Sequence, residues 1–286
     1  VTTTDSREGT TILTSEYATV ENVDDPATGT VTISGTVAEG QTVTANTSIT
    51  DVDGTLSPFE FTYQWQVADF LVIENPPETS RAYSSVHGDA NYTADTFGGS
   101  NNNAAQSMLD SNQAWSVAGG LASGAYMTID IGSTKTVIGV ITQGRNGESQ
   151  WVKSYTLEYS INNTDYYDVD GGFDFSGNID RDTKVTNYLS TDITARYIRF
   201  HPTLYQTHIS MRAGVVTADF SAISSATGSS YSIPDDQTMV DKYIRVKVTT
   251  RDSLGATTIL TSAPSQVANV DDAATGTVTI SGTVAE

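Results

Sequence analysis

The chain has 286 residues, no cysteine, and 14 Lys and Arg against 34 Asp and Glu, a net charge of −20. That length holds about two domains at ~100–200 residues each, the cysteine count excludes a disulfide scaffold, and the charge disfavours nucleic acid and anionic lipid while favouring divalent cations. No apolar run nears the ~18 residues of a membrane span, and Val1 opens a Thr-rich polar stretch without the basic and apolar regions of a targeting peptide, which reads as an excised fragment.

In chain order, residues 30–37 (TVTISGTV), 41–45 (QTVTA) and 59–65 (FEFTYQW) are short β-branched or aromatic runs punctuated by Gly, Asp and Pro. They predict sandwich strands. The style changes over residues 68–218. There, 125–132 (AYMTIDIG), 137–145 (VIGVITQGR), 151–166 (WVKSYTLEYSINNTDY), 175–180 (FSGNID), 195–202 (ARYIRFHP) and 208–212 (HISMR) follow one another. Met127, Ile129 and Ile131 fall on one face, and YTLEYS and YIRF alternate likewise, predicting half-buried antiparallel strands. Trp65 and Trp151 sit at strand positions and are expected in the core; Trp115 is expected to pack beneath a site rather than line it. After residue 218 the first style returns in 229–233 (SSYSI), 243–250 (YIRVKVTT) and 257–261 (TTILT).

Residues 10–39 and 257–286 are near-identical, both ending NVDD, one residue, then ATGTVTISGTVAE, at an offset of 257 − 10 = 247. One unit plus overhangs of a tandem array is therefore expected. Sequence positions 29–45 (GTVTISGTVAEGQTVTA), 51–54 (DVDG), 61–66 (FTYQWQ), 226–233 (ATGSSYSI) and 241–252 (DKYIRVKVTTRD) resemble immunoglobulin-like extender repeats of large bacterial surface adhesins of the repeats-in-toxin class. In ordinary repeats of that kind the YQWQ and ATGSSY segments lie close together; here about 150 residues separate them, which marks an insertion at an exposed loop tip. The expected organisation is residues 1–24 from a preceding repeat, 25–67 with 219–271 as a split extender domain, 68–218 as its guest, and 272–286 opening the next repeat.

The guest's segments resemble the discoidin domain, also called the coagulation factor V/VIII C-type domain. The resemblance implies a second, jelly-roll β-sandwich, hence an all-β chain, with ligand loops gathered at one end. It places these at residues 84–103, 116–123, 145–150 and 203–208. Relatives often clamp their ends with a disulfide; here attachment of both ends to the host is expected to do so. They also carry a carboxylate shortly after the final Met-Arg, where this chain has Ala213 and Gly214.

There is no cysteine nucleophile, no HExxH, no P-loop and no dinucleotide-binding glycine pattern, so binding rather than catalysis is expected. A sugar or peptide site needs a flat aromatic face and a few fixed polar groups. Tyr205, aligned with a pocket aromatic of the relatives, would supply the face; Arg145, Asn146, Glu148 and His208 the polar contacts; Tyr83 and His87 would approach from the first loop. Calcium takes about 6–8 hard oxygen ligands, and Asp24 with Asp25, Asp271 with Asp272, and Asp51 with Asp53 offer them, the first two pairs at equivalent repeat junctions where a structural ion would stiffen the array. Asp110 resembles a loop ligand of some carbohydrate-binding relatives. Each of these groups also has a bland reading as a solvated turn or loop residue. The expectation is a secreted, cell-surface bacterial adhesin module, monomeric within its array, that binds a glycan or cell-surface glycoconjugate without entering a membrane. A protein or peptide ligand and a purely structural, calcium-stiffened spacer stand as alternatives.

Overall fold

The computed structural model describes residues 1–21, 23, 25–52, 61–119, 124–252, 255–271, 276–279 and 281–282. Among these, strands dominate, the helical turns are short (Glu78–Ser80 and Val169–Gly171), and no helix is long and apolar enough to cross a membrane.

The middle of the chain forms a nine-stranded antiparallel system in the order Tyr167–Asp168, Trp151–Ser160, Val185–Gln206, Met127–Gln143, Ser210–Thr217, Val72–Glu74, with Phe175–Ser176, Arg81–Tyr83 and Trp115–Ser116 pairing at its margins. Alternation fixes which side faces in: Met127 and Ile129 are fully buried, as are Ile198 and Phe200 across the ladder. Expected strands 125–132 and 137–145 are one strand, Met127–Gln143, and Val185–Gln206 spans what reads in sequence as loop plus strand. Both bend, because the pairing between them breaks between Tyr188 and Ile193 and again between Ala195 and Tyr197. The two ends of this body are closed by pairing of Val72–Glu74 with Val215–Thr217, which holds them together without a cross-link.

Strands before and after that body share two further sheets. One runs Ser221–Ala222, Thr62–Ala68, Tyr243–Arg251, Thr257–Thr261, with Ser265–Gln266 beside the third; the other runs Ser230–Ser232, Thr42–Thr50, Thr28–Ser34. They enclose a core of Val31, Val43, Trp65, Ile244, Val246 and Val248. Trp65 is fully buried, and its indole Nε1 donates to the Gly228 carbonyl at 3.0 Å. The chain departs at Ala68 and returns at Ser221, which pairs with Val67. The strand expected over 30–37 stops at Ser34 because Gly35 turns with φ +97°, and a Cβ there would lie 2.8 Å from the Thr42 carbonyl oxygen.

The repeat is structural as well as sequential. Thr2, Thr3 and Thr4 pair with Ile12, Thr11 and Thr10, and 247 residues later Thr249, Thr250 and Arg251 pair with Ile259, Thr258 and Thr257 in the same register. Asp5 accepts from the backbone N–H of Arg7 and Gly9, Asp252 from those of Gly255 and Ala256.

The two bodies share an apolar seam. Ala68, Leu71 and Phe220 pack with Leu109, Ile138, Ile141, Tyr188 and Val216. Where the Val185–Gln206 pairing breaks, residues 189–192 reach over the outer face of the neighbouring sheet. There Asp192 accepts two bonds from Arg245 at 2.6 and 2.5 Å, Thr261 Oγ1 donates to the Ser190 carbonyl at 3.0 Å, and Thr191 Oγ1 to that of Ile259 at 2.8 Å.

Candidate functional site

A buried polar knot anchors the long first loop. Arg81, fully buried, donates to the carbonyls of Pro76, Ser107 and Ala213 and to Asn75 Oδ1. Burial lowers its pKa, and nearby Glu78 opposes that shift. Tyr83, expected at the ligand, belongs to this knot instead: it is 3% exposed, stacks on Trp115 at 5.6 Å, and its hydroxyl binds Glu78, the Ala105 carbonyl and Ser107. Burial raises its pKa well above the usual phenol value. Period-2 alternation on the three-residue strand Arg81–Tyr83 was too short to show which way the ring points.

At the loop end, three segments are laced by backbone bonds: His87 N–H to the Ser116 carbonyl, Val117 N–H to that of Ile209, and Arg145 N–H to that of Gln150. This brings His87 and His208 edge to face with ring centroids 5.6 Å apart. Arg145 stands beside them, its Nε and Nη2 donating to Gln113 Oε1 at 3.2 and 2.9 Å and its Nη1 to Gln150 Oε1 at 2.9 Å. Ser210 Oγ donates to the same Gln150 oxygen and meets Ser116 Oγ at 2.8 Å. His208 Nδ1 faces the Ile209 carbonyl at 2.9 Å; a carbonyl only accepts, so Nδ1 carries the proton and Nε2 is the acceptor of the neutral ring. Burial is the main cause of a lowered His208 pKa, with His87 and Arg145 adding to it.

Asn146 and Glu148 lie exposed on the turn between Arg145 and Gln150. Tyr205 is 37% exposed and is the strand partner of Val152; the next rung pairs Gln206 with Trp151, directly after Gln150. Trp151 is half-buried at this end rather than a full core residue. The structure thus gathers His87, Arg145 and His208, sets Tyr205 on the adjoining strand, and adds Gln113, Gln150 and Ser210. These three are uncharged residues with no motif to single them out.

Beneath the cluster, Arg212 is 3% exposed and ties three loops by donating to the carbonyls of Gly144 (2.6 Å), Ser111 (2.9 Å) and Arg181 (2.8 Å). Gly144 is required there: a Cβ would lie 2.6 Å from Arg181 Cα and 2.7 Å from the Asp180 carbonyl oxygen. Gly144→Ala is expected to cost about 1–3 kcal/mol through overpacking, read as a lower urea midpoint; an unchanged midpoint would show that the loops yield freely.

Asp110, expected as a calcium ligand, is paired instead with the Lys184 ammonium at 2.6 Å and accepts from Gln143 Nε2. The Lys184 bond holds its carboxyl below the usual range. Asp24, Asp53 and Asp272 lie outside the described residues, as do 120–123 of the second ligand loop; among the described residues no three of His, Asp and Glu gather to hold a metal. Asp51 is half-buried, while Asp25 and Asp271 are exposed. Near the second junction, Glu39 is 1% exposed and accepts from Gln237 Nε2 and from the backbone N–H of Val270, one residue before Asp271.

Residues 89–215 match the model of the F5/8 type C domain. Discoidin-2 of Dictyostelium discoideum is 31% identical over 134 residues, covering 47% of this chain and 50% of that protein. Retinoschisin of Takifugu rubripes is 38% identical over 92 residues, covering 30% and 33%. A native structure of recombinant discoidin II of Dictyostelium discoideum is 29% identical, covers 50% of this chain and 52% of that one, and has a TM-score of 0.35. The chain spans about half the length of the discoidins it matches. The family match and the relatives support a discoidin-like F5/8 type C domain over residues 89–215 of the middle body, whose strands Val72–Glu74 and Arg81–Tyr83 lie upstream of the matched residues.

Proposed function

We propose that the chain is a piece of a secreted bacterial surface adhesin in which a non-catalytic, carbohydrate-binding discoidin-type module, residues 68–218, interrupts an immunoglobulin-like extender repeat made of residues 25–67 and 219–271, with 1–24 and 272–286 belonging to its neighbours in a tandem array. The observation that carries the binding role is the loop end. Arg145, His87 and His208 converge there with exposed Tyr205 on the adjoining strand, and Arg145 and His208 are held by their own side-chain hydrogen bonds before any ligand arrives. Preset donors next to an aromatic face suit a sugar, whose hydroxyls take directional bonds and whose C–H face covers a ring. The equal registers of the two 247-spaced hairpins support the array.

Calcium enters the proposal at the repeat junction only. Glu39, deeply buried and bonded to an amide and a backbone N–H, would join the carboxylate of Asp271 as hard oxygen ligands, and the ion would supply positive charge that fixes one repeat against the next.

A glycan array on the fragment, run with calcium and with chelator, tests both parts. Binding that survives chelation and is lost in Tyr205→Ala is expected. An empty array at millimolar sugar, with the fold intact, would remove the carbohydrate role and leave a protein ligand or a spacer.

A further inference from the structure

The loop-end cluster carries a guanidinium with no ion-pair partner among the described residues. Arg181, Lys184, Arg196 and Arg199 of the same body each pair with an aspartate. Arg145 is held by the amide oxygens of Gln113 and Gln150, and among the described residues no carboxylate lies within ion-pair distance of it. In a chain with 34 acidic residues against 14 basic ones, a cation fixed by neutral acceptors keeps its charge available for something else.

The hydrogen-bond count says for what. A guanidinium has five N–H groups; Nε spends its one on Gln113, Nη2 one on Gln113 and Nη1 one on Gln150. One N–H on each Nη is left without a partner among the described residues, donors of the kind a carboxylate accepts from. His208 and His87 stand beside it. The neighbours that bear on His208 are His87 and Arg145, both cationic or neutral and neither anionic.

Resting on the loop end as the glycan site, we infer that its ligand is an acidic saccharide, a sugar bearing a carboxylate that the remaining N–H groups of Arg145 hold while the sugar ring lies toward Tyr205. A bound carboxylate favours the imidazolium form of His208, whose ring stands beside Arg145, so binding takes up a proton. Affinity then rises as pH falls from about 7.5 to about 5.5, a window above the ~3.5 at which a sugar acid of this kind loses its charge.

Titration calorimetry with galacturonate and glucuronate against galactose and N-acetylgalactosamine, at pH 7.5 and 5.5, tests this. The uronates are expected to bind at least about tenfold tighter, the equivalent of one charge-assisted hydrogen bond, with the margin wider at pH 5.5 and reduced in ~0.5 M salt. Arg145→Gln, with an unchanged melting midpoint, should erase the preference. Gln113→Glu should erase it too, by neutralising the guanidinium while leaving it in place. Equal affinity for galactose and galacturonate would overturn the acidic-ligand inference and leave a neutral glycan site. Acetate binding as well as galacturonate would overturn it in favour of a simple anion. Silence from every sugar on the folded protein would overturn both it and the glycan reading.

Discussion

Asp192→Ala is expected to destabilise the chain by about 3 kcal/mol, far beyond what an exposed ion pair contributes. Its partner explains the size. The Arg245 side chain is 4% exposed, wedged on the outer face of the Tyr243–Arg251 strand beneath the neighbouring body, with Phe220 3.9 Å from its guanidinium carbon. Removing Asp192 leaves Gln66 Oε1 as its remaining hydrogen-bond acceptor among the described residues, so a buried cation loses its counter-charge and two bonds together. Removing both partners differs: Asp192→Ala with Arg245→Met replaces charge with apolar volume on a seam that is already apolar, and should recover most of the loss. Urea unfolding of the two variants measures this. The single variant should also separate the unfolding of the two bodies into distinct transitions, because the seam couples them. Equal, small losses for both would mean that the packed apolar residues alone join the bodies.

That seam marks the boundary of what the sequence discloses. The strands are legible because alternation has a period of two and the buried side is uniform: Met127, Ile129 and Ile131 announce their face. The repeat is legible because 30 residues recur, and the structure repeats their hairpin register. Arg245 sits in YIRVKVTT at an outward position, where a solvated arginine is the expectation, and the excursion at 189–192 together with Phe220 buries it. Tyr83 fails in the opposite sense. A tyrosine in a polar loop region reads as a surface aromatic, yet Glu78 and Ser107, 5 and 24 residues away, satisfy its hydroxyl inside the core. Asp110 reads as a lone loop carboxylate, and Lys184, 74 residues later, pairs with it. In each case at least one deciding partner lies 24 or more residues away, and no local pattern encodes it. Of the loop-end cluster, the charged and aromatic members were legible as types, whereas Gln113 and Gln150, which set what Arg145 can bind, were not.

Arg212→Met should cost at least about 3 kcal/mol and abolish ligand binding even where the variant stays folded. Three carbonyls lose their donor at once, and each buried acceptor left unpaired costs roughly 1–3 kcal/mol, partly relieved where water reaches it. The functional loss follows from where those carbonyls are. Gly144 immediately precedes Arg145, Ser111 opens the turn that presents Gln113, and Arg181 closes over Gly144 from the opposite side. One buried side chain therefore sets the spacing between the arginine that would meet the ligand and the glutamine that fixes its fork, and a shift of even ~1 Å between them spoils preorganised recognition. Arg212→Lys separates the two effects, since an ammonium keeps the charge and bonds to one or two of the carbonyls but cannot span all three. It should retain most of the stability and still bind poorly. If Arg212→Lys bound ligand as the parent does, the loop end would be organised by its own side-chain bonds, and the residue beneath it would matter to folding alone.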